Sequence, residues 1–125
     1  MKYLLDTHAL LWYLFDEEEL SSTAKELINN EFCYYSKVSL WEIAIKQTRK
    51  LLEYKQPISK IIDACKEEEF EELFVSGNSL ELIKTLPDIH RDPFDRILIA
   101  MAIENDLTII TKDSKIPLYD VKTVW

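Results

Sequence analysis

Short apolar runs, each too brief for a helix and each set beside a segment of helical spacing, constrain this chain more than any other feature of its sequence. KYLL (2–5) leads into THALLWYLF, FCYYS (32–36) into SLWEIAIKQTRKLL, and ELFVS (72–76) into SLELIKTL. The helical segment FDRILIAMAIEND then precedes LTIIT (107–111), and DVKTVW closes the chain as a last strand. Strands alternating with helices predict an α/β sandwich whose mostly parallel sheet is covered on both faces. The punctuation agrees. Ser21 or Ser22 can cap a helix running through Asn30, while Pro57 and Pro93 suit the first turns of two more. In PISKIIDACKEEEF, Ile58, Ile61, Ile62 and Cys65 form one inward stripe ahead of an acidic, solvated tail.

A chain of 125 residues with 47% apolar side chains supports one domain, 1–125, around one core. MKYLLDTHALLWYLF is not expected to be a signal peptide, because Asp6 and His8 interrupt it and DEEE follows. No run approaches the ~18 apolar residues of a membrane span. Cys33 and Cys65 are too few for a disulfide framework and lack zinc-site spacing, which predicts free thiols in a cytoplasmic protein. The sole glycine, Gly77, excludes glycine-rich phosphate loops and dinucleotide fingerprints. A net charge of −8 argues against nucleic acid on its face, but the charge is segregated. Lys46, Arg49, Lys50, Lys55 and Lys60 face one acid, Glu53, across 46–60, whereas 63–72 holds six acids and Lys66.

In parallel α/β sheets, ligands collect outside the carboxyl ends of the strands. Asp6 lies just past the first strand, Ser36 at the end of the second, and Thr111 and Asp113 past the one from Leu107. Glu42 and Asp95 fall in the early turns of helices that can follow the same edge. Four converging carboxylates are stable near neutral pH only if they share protons or hold a cation, and oxygen ligands favour Mg²⁺ or Mn²⁺. Each acid also has an ordinary reading: a helix cap for Asp6, an i, i+4 pair with Lys46 for Glu42, a dipole contact for Asp95 beside the N-cap Asp92, and a turn for Asp113.

LLDTHALLW, SLWEIAIK, HRDPFDRILIAMA, LTIITKD and the closing VKTVW resemble the PIN-domain family, in particular VapC-like toxins of type II toxin–antitoxin pairs. The likeness runs in order from about residue 2 to the C-terminus. It implies a PIN-like α/β/α sandwich and a Mg²⁺- or Mn²⁺-dependent endoribonuclease that hydrolyses RNA phosphodiesters with an activated water. Carried over by position, the implied catalytic and metal-ligating acids are Asp6, Glu42, Asp95 and Asp113, with Asp92, Thr7 and Thr111 as accessories. Lys46, Arg49, Lys50, Arg91 and Arg96 are candidate contacts to RNA phosphate, and Ser36 and Ser39 candidate donors to it. The resemblance further implies a homodimer and a cognate antitoxin, whose basic segment would suit this acidic chain.

His8 and His90 are not expected to act as general bases, since an activated-water mechanism needs neither. Trp12, Trp41 and Trp125 read as core or interface residues rather than base-stacking platforms, and the stripe Leu10, Leu11 and Leu14 with Trp12 and Phe15 reads as a dimer or antitoxin surface. Two other classes compete with the nuclease. A catalytically silent PIN-like module would bind RNA or protein without cleaving. Phosphoryl transfer through an acid pocket needs paired acids after the first strand or a D-x-D signature, and LLDTHAL has neither.

Overall fold

β1 (Lys2–Leu5) turns Tyr3 and Leu5 to one face of a sheet and Leu4 to the other, and all three are buried. Burial on both faces is what an interior parallel strand requires, and β1 is the central strand of the computed structural model, which describes residues 1–125. β2 (Phe32–Tyr35), β3 (Glu71–Glu72), β4 (Thr108–Ile110) and β5 (Lys122–Val124) complete it in the order β3-β2-β1-β4-β5. Every ladder is parallel. Tyr3 registers with Cys33 on one side and Thr108 on the other.

Six helices cover the sheet: α1 (Thr7–Phe15), α2 (Ser22–Asn30), α3 (Lys37–Thr48), α4 (Ile58–Glu67), α5 (Gly77–Ile83) and α6 (Pro93–Glu104). Ala9, Leu10, Ala24, Ile28, Ile61 and Cys65 close one face over Tyr3, Leu5 and Ile110. Leu98, Ile99, Met101 and Ala102 of α6 close the other over Leu4 and Ile109. Leu98, Ile99, Met101 and Ala102 are fully buried, and each large apolar side chain so enclosed contributes about 1.5–3 kcal/mol. None of the helices is long and apolar enough to cross a membrane. Both cysteines are free and buried.

The parallel α/β sandwich expected from the alternation is the observed fold, and the second helix begins where Ser21 caps it. The third strand is the exception. ELFVS predicts a strand over 72–76, whereas β3 is Glu71–Glu72, with one further ladder bond from the Leu73 N–H to the Tyr35 carbonyl. Its only partner is β2, which ends at Tyr35, so Phe74 and Val75 have nothing left to pair with and lie exposed.

With one glycine available, three helices end on other residues in the left-handed region: Lys50 (φ 55°), Glu69 (φ 60°) and Asp106 (φ 53°). Each permits a bond that closes the preceding helix, Leu51 N–H to Lys46 O, Phe70 N–H to Cys65 O and Leu107 N–H to Ala102 O.

Candidate active site

The strand order turns back between β1 and β4, and the crevice at their carboxyl ends is where such a sheet binds ligands. Asp6 directly follows β1 and caps α1: its Oδ1 accepts from the Ala9 N–H at 2.8 Å, leaving Oδ2 to accept from the Thr111 hydroxyl beyond β4. Glu42 reaches the same place from the second turn of α3. It is buried, with Oε1 accepting from the Thr7 hydroxyl at 2.6 Å and Oε2 from Lys46 Nζ at 2.6 Å. Asp95 comes from the first turn of α6, whose start is set by Pro93 and by Asp92, the N-cap that accepts from the Phe94 and Asp95 N–H groups. Asp113 uses Oδ1 to hold its own turn through the Lys115 and Ile116 N–H groups and turns Oδ2 inward.

These acids line one cleft of about 440 Å³, together with Thr7, His8, Trp12, Lys46, His90, Asp92 and Lys112. Burial and the surrounding charges of Asp92, Glu42, Asp6 and Asp113 push the Asp95 carboxyl up to about 8. Burial raises Asp6 to about 6 against the hydrogen bonds from Thr111 and Ala9, with the charges of Asp113 and Glu42 adding to the rise. Asp113, although partly desolvated, is held below the usual carboxylate range by the Ile116 and Lys115 N–H groups and by His90. Lys46 overcomes its own partial desolvation through Glu42 and stands above its ordinary value.

His90, which the sequence reading considered only as a general base and declined, belongs to the site as a partner of its acids. Its ring is buried between two acids, with Nε2 3.0 Å from Asp95 Oδ2 and 3.1 Å from Asp113 Oδ2. Nδ1 faces the Asp92 N–H, so the ring proton belongs on Nε2, pointing at the carboxylates. The signal was present in HRDPFD: a histidine two residues before an N-cap lies on the turn that delivers the acid of the first helical turn.

Of the candidate phosphate contacts, Lys46 lines the cleft; Lys112, which was not among them, does too. Arg49 and Lys50 are exposed past the end of α3, and Arg91 lies on the outer side of His90 with Arg96. Arg96 is committed elsewhere. Its guanidinium donates to the carbonyls of Pro87, Ile83 and Leu86 and to the Tyr119 hydroxyl, tying the end of α5 to α6. Ser36 caps α3 and Ser39 is fully buried behind Thr7, so neither hydroxyl faces the cleft. Leu10 and Leu11 are core, not a partner surface, and Trp41 is exposed rather than core. Trp12, half-buried, forms part of the cleft wall.

The PIN domain family model matches residues 3–122 of this chain. Comparison with curated proteins finds no significant relative. Among solved structures, the chain is similar to VapBC2 from Rickettsia felis bound to a DNA fragment from its promoter, with a TM-score of 0.75 and 15% identity over 99% of this chain and 98% of that one. It is similar to FitAcB from Neisseria gonorrhoeae, with a TM-score of 0.68 and 15% identity over 98% and 96% of the two chains. DNA-bound VapBC from Salmonella typhimurium gives a TM-score of 0.70 and 13% identity over 99% and 97%. At these identities the structural likeness speaks to the fold, and it is the same fold that the family match spans almost end to end. This chain belongs to the PIN domain family.

Proposed function

We propose that this protein is a metal-dependent endoribonuclease and the toxin of a type II toxin–antitoxin pair. The observation that carries the reading is the convergence of Asp6, Glu42, Asp92, Asp95 and Asp113 on one cleft, with two of them raised far above the ordinary carboxylate range. A cluster so arranged is short of positive charge, and a cation relieves it. The donor set suits Mg²⁺ or Mn²⁺: hard carboxylate oxygens, of which those of Asp95 and Asp113 lie within 4.8 Å of each other on either side of the His90 N–H. Asp6, Asp95 and Asp113 would hold the ion, with Glu42 direct or through water. When bound, such an ion supplies Lewis-acid activation of the water that attacks a phosphodiester.

The chain's own groups do the rest. Thr7 and Lys46 fix both oxygens of Glu42, Thr111 fixes Asp6, and the His90 N–H orients Asp95 and Asp113, so the acids are set before substrate arrives. Lys46 and Lys112 offer the cleft's positive charge to RNA phosphate.

The partners follow from charge. A chain with net charge −8 and an acidic cleft suits an antitoxin with a basic segment, and the likeness to VapBC assemblies supports such a partner. Beside the cleft, a groove lined by Val38, Trp41, Phe74, Leu80 and Phe94 suits a second copy instead. Its only charged lining residues, Lys37 and Glu72, pair with each other at 3.4 Å, so two copies can meet there without bringing unpaired like charges together. Buried free thiols accord with a cytoplasmic location.

The test is cleavage of a structured RNA pool with Mg²⁺, Mn²⁺ or EDTA, beside a folded Asp6→Asn, Asp95→Asn double variant. Metal-dependent fragments with 5′-phosphate and 3′-hydroxyl ends that vanish in the variant are expected. Equal RNA binding by both proteins with no cleavage in any metal would replace the nuclease by a silent binding module.

A further inference from the structure

Trp12 is the one apolar side chain in the wall of an otherwise polar cleft. It is half-buried, yet it does not join the hydrophobic cluster that absorbs its neighbours Leu11, Tyr13, Leu14 and Phe15. Outside that cluster and facing a polar cleft, the ring is open to another occupant. The ring is held in place: Trp125 meets it edge-on at 5.7 Å between centroids, and Trp125 does pack on the core. His8, one turn earlier on the same face of α1, lies 5.2 Å from it, and Lys112 Nζ stands 5.9 Å from the ring centroid. Together these make an aromatic strip with a cation beside it, the combination that binds single-stranded nucleic acid: bases stack on rings while lysine meets the backbone.

We propose that Trp12, buttressed by Trp125 and extended by His8, is the base-stacking platform of the cleft and positions the nucleotide next to the scissile phosphate. The proposal rests on the nuclease reading for what is cleaved, not for what is bound. The six helical steps from the N-cap Asp6 to Trp12 rise about 9 Å, so a phosphate at the acids places the neighbouring base, one nucleotide along, against the ring. Lys112, next in sequence to Asp113, can leave the ring for that nucleotide's phosphate, since its flexible stem lets the ammonium swing. Stacking tolerates any base, so the platform selects an unpaired nucleotide rather than a sequence.

The test uses an Asp95→Asn background in EDTA, which cannot cleave. Binding of a single-stranded RNA tetranucleotide, too short to shift register along the cleft, is compared with that of the same tetranucleotide carrying an abasic site at each position in turn. Trp12→Leu is expected to weaken the intact oligonucleotide about tenfold, as loss of one stacked base implies, while Trp12→Phe keeps most of the affinity. With the Trp12 ring in place, one abasic position should reproduce that loss, and in Trp12→Leu that position should no longer matter. Equal affinity of Trp12→Leu and its parent, or an abasic scan that is flat in the parent, would overturn the platform. The scan needs no Trp12 variant, so it decides the matter even if Trp12→Leu does not fold. Ring-dependent binding without cleavage by the wild-type chain in any metal would sink the nuclease and leave the platform standing.

Discussion

Raising the pH should destabilise the metal-free protein through the very acids that a cation would rescue. Burial and the neighbouring acids push Asp95 up to about 8 and Asp6 up to about 6, both from an ordinary value of 3.8, so the native chain holds protons that the unfolded chain has released. Stability is therefore greatest below the unfolded pKa and is lost as pH rises through the folded values. At about 1.4 kcal/mol per unit, and treating the two acids as one coupled cluster, the fall from about pH 5 to about pH 8 is on the order of 3 kcal/mol. For a chain of this length, that lowers Tm by about 10 °C. Mg²⁺ or Mn²⁺ competes with those protons, and a hundredfold excess over Kd returns about 2.7 kcal/mol, most effectively at the alkaline end. The assay is a set of thermal melts at fixed ionic strength, with EDTA or with metal. Asp95→Asn sharpens it, because an amide has no charge to suppress: without metal at about pH 8 this variant should melt above wild type, and metal should raise it less. A metal-free Tm that is flat or rises with pH, or an Asp95→Asn variant less stable than wild type at about pH 8, would refute the account of the cluster.

Three further outcomes are expected. Arg96→Ala strips hydrogen bonds from the Pro87 and Ile83 carbonyls and the Tyr119 hydroxyl, and should lower stability by about 2–3 kcal/mol in denaturant melts while leaving the salt dependence of RNA binding unchanged. A slope reduced by about one would return Arg96 to the phosphate contacts. Glu69→Gly relieves an exposed left-handed residue at the end of α4 and should add about 1 kcal/mol, read as a rise in Tm; no change would mean that the backbone there is unstrained. Trp41→Glu places a charge on the neutral groove and should yield a monomer in sedimentation at concentrations where wild type dimerises, with a dimeric variant ruling out that face.

The sheet, its helices and the edge where the acids gather were legible because each depends on short-range signals: the period of the apolar residues, a serine or aspartate before five of the six helices, and a proline at the start of α4 and of α6. What escaped depends on contacts between distant segments. ELFVS has the composition of a strand over its whole length, but β3 can be no longer than its partner allows, and β2 stops at Tyr35. Arg96, in a string full of charge, looked free for phosphate, yet the last carbonyl of α5, the carbonyls of the turn after it and the Tyr119 hydroxyl claim it. Trp12 read as packing because its neighbours are apolar, whereas the turn of α1 points it away from them into the cleft.

The acids themselves explain why two readings of each looked equally good. A carboxylate has two oxygens, and here they are divided between tasks. Asp6 gives Oδ1 to the Ala9 N–H at the start of α1 and keeps Oδ2 in the crevice. Asp113 gives Oδ1 to the turn at Lys115 and Ile116 and presents Oδ2 to His90. Glu42 makes the expected i, i+4 pair with Lys46 through one oxygen while Thr7 aligns the other. Capping, turn and ion pair are thus the means by which backbone geometry aims the second oxygen, and an acid anchored in this way loses little freedom when it takes up a ligand. Asp95 is the exception that locates the centre of the cluster: Asp92 does the capping for it, so both of its oxygens stay with the cleft, and it is the acid whose carboxyl is raised furthest.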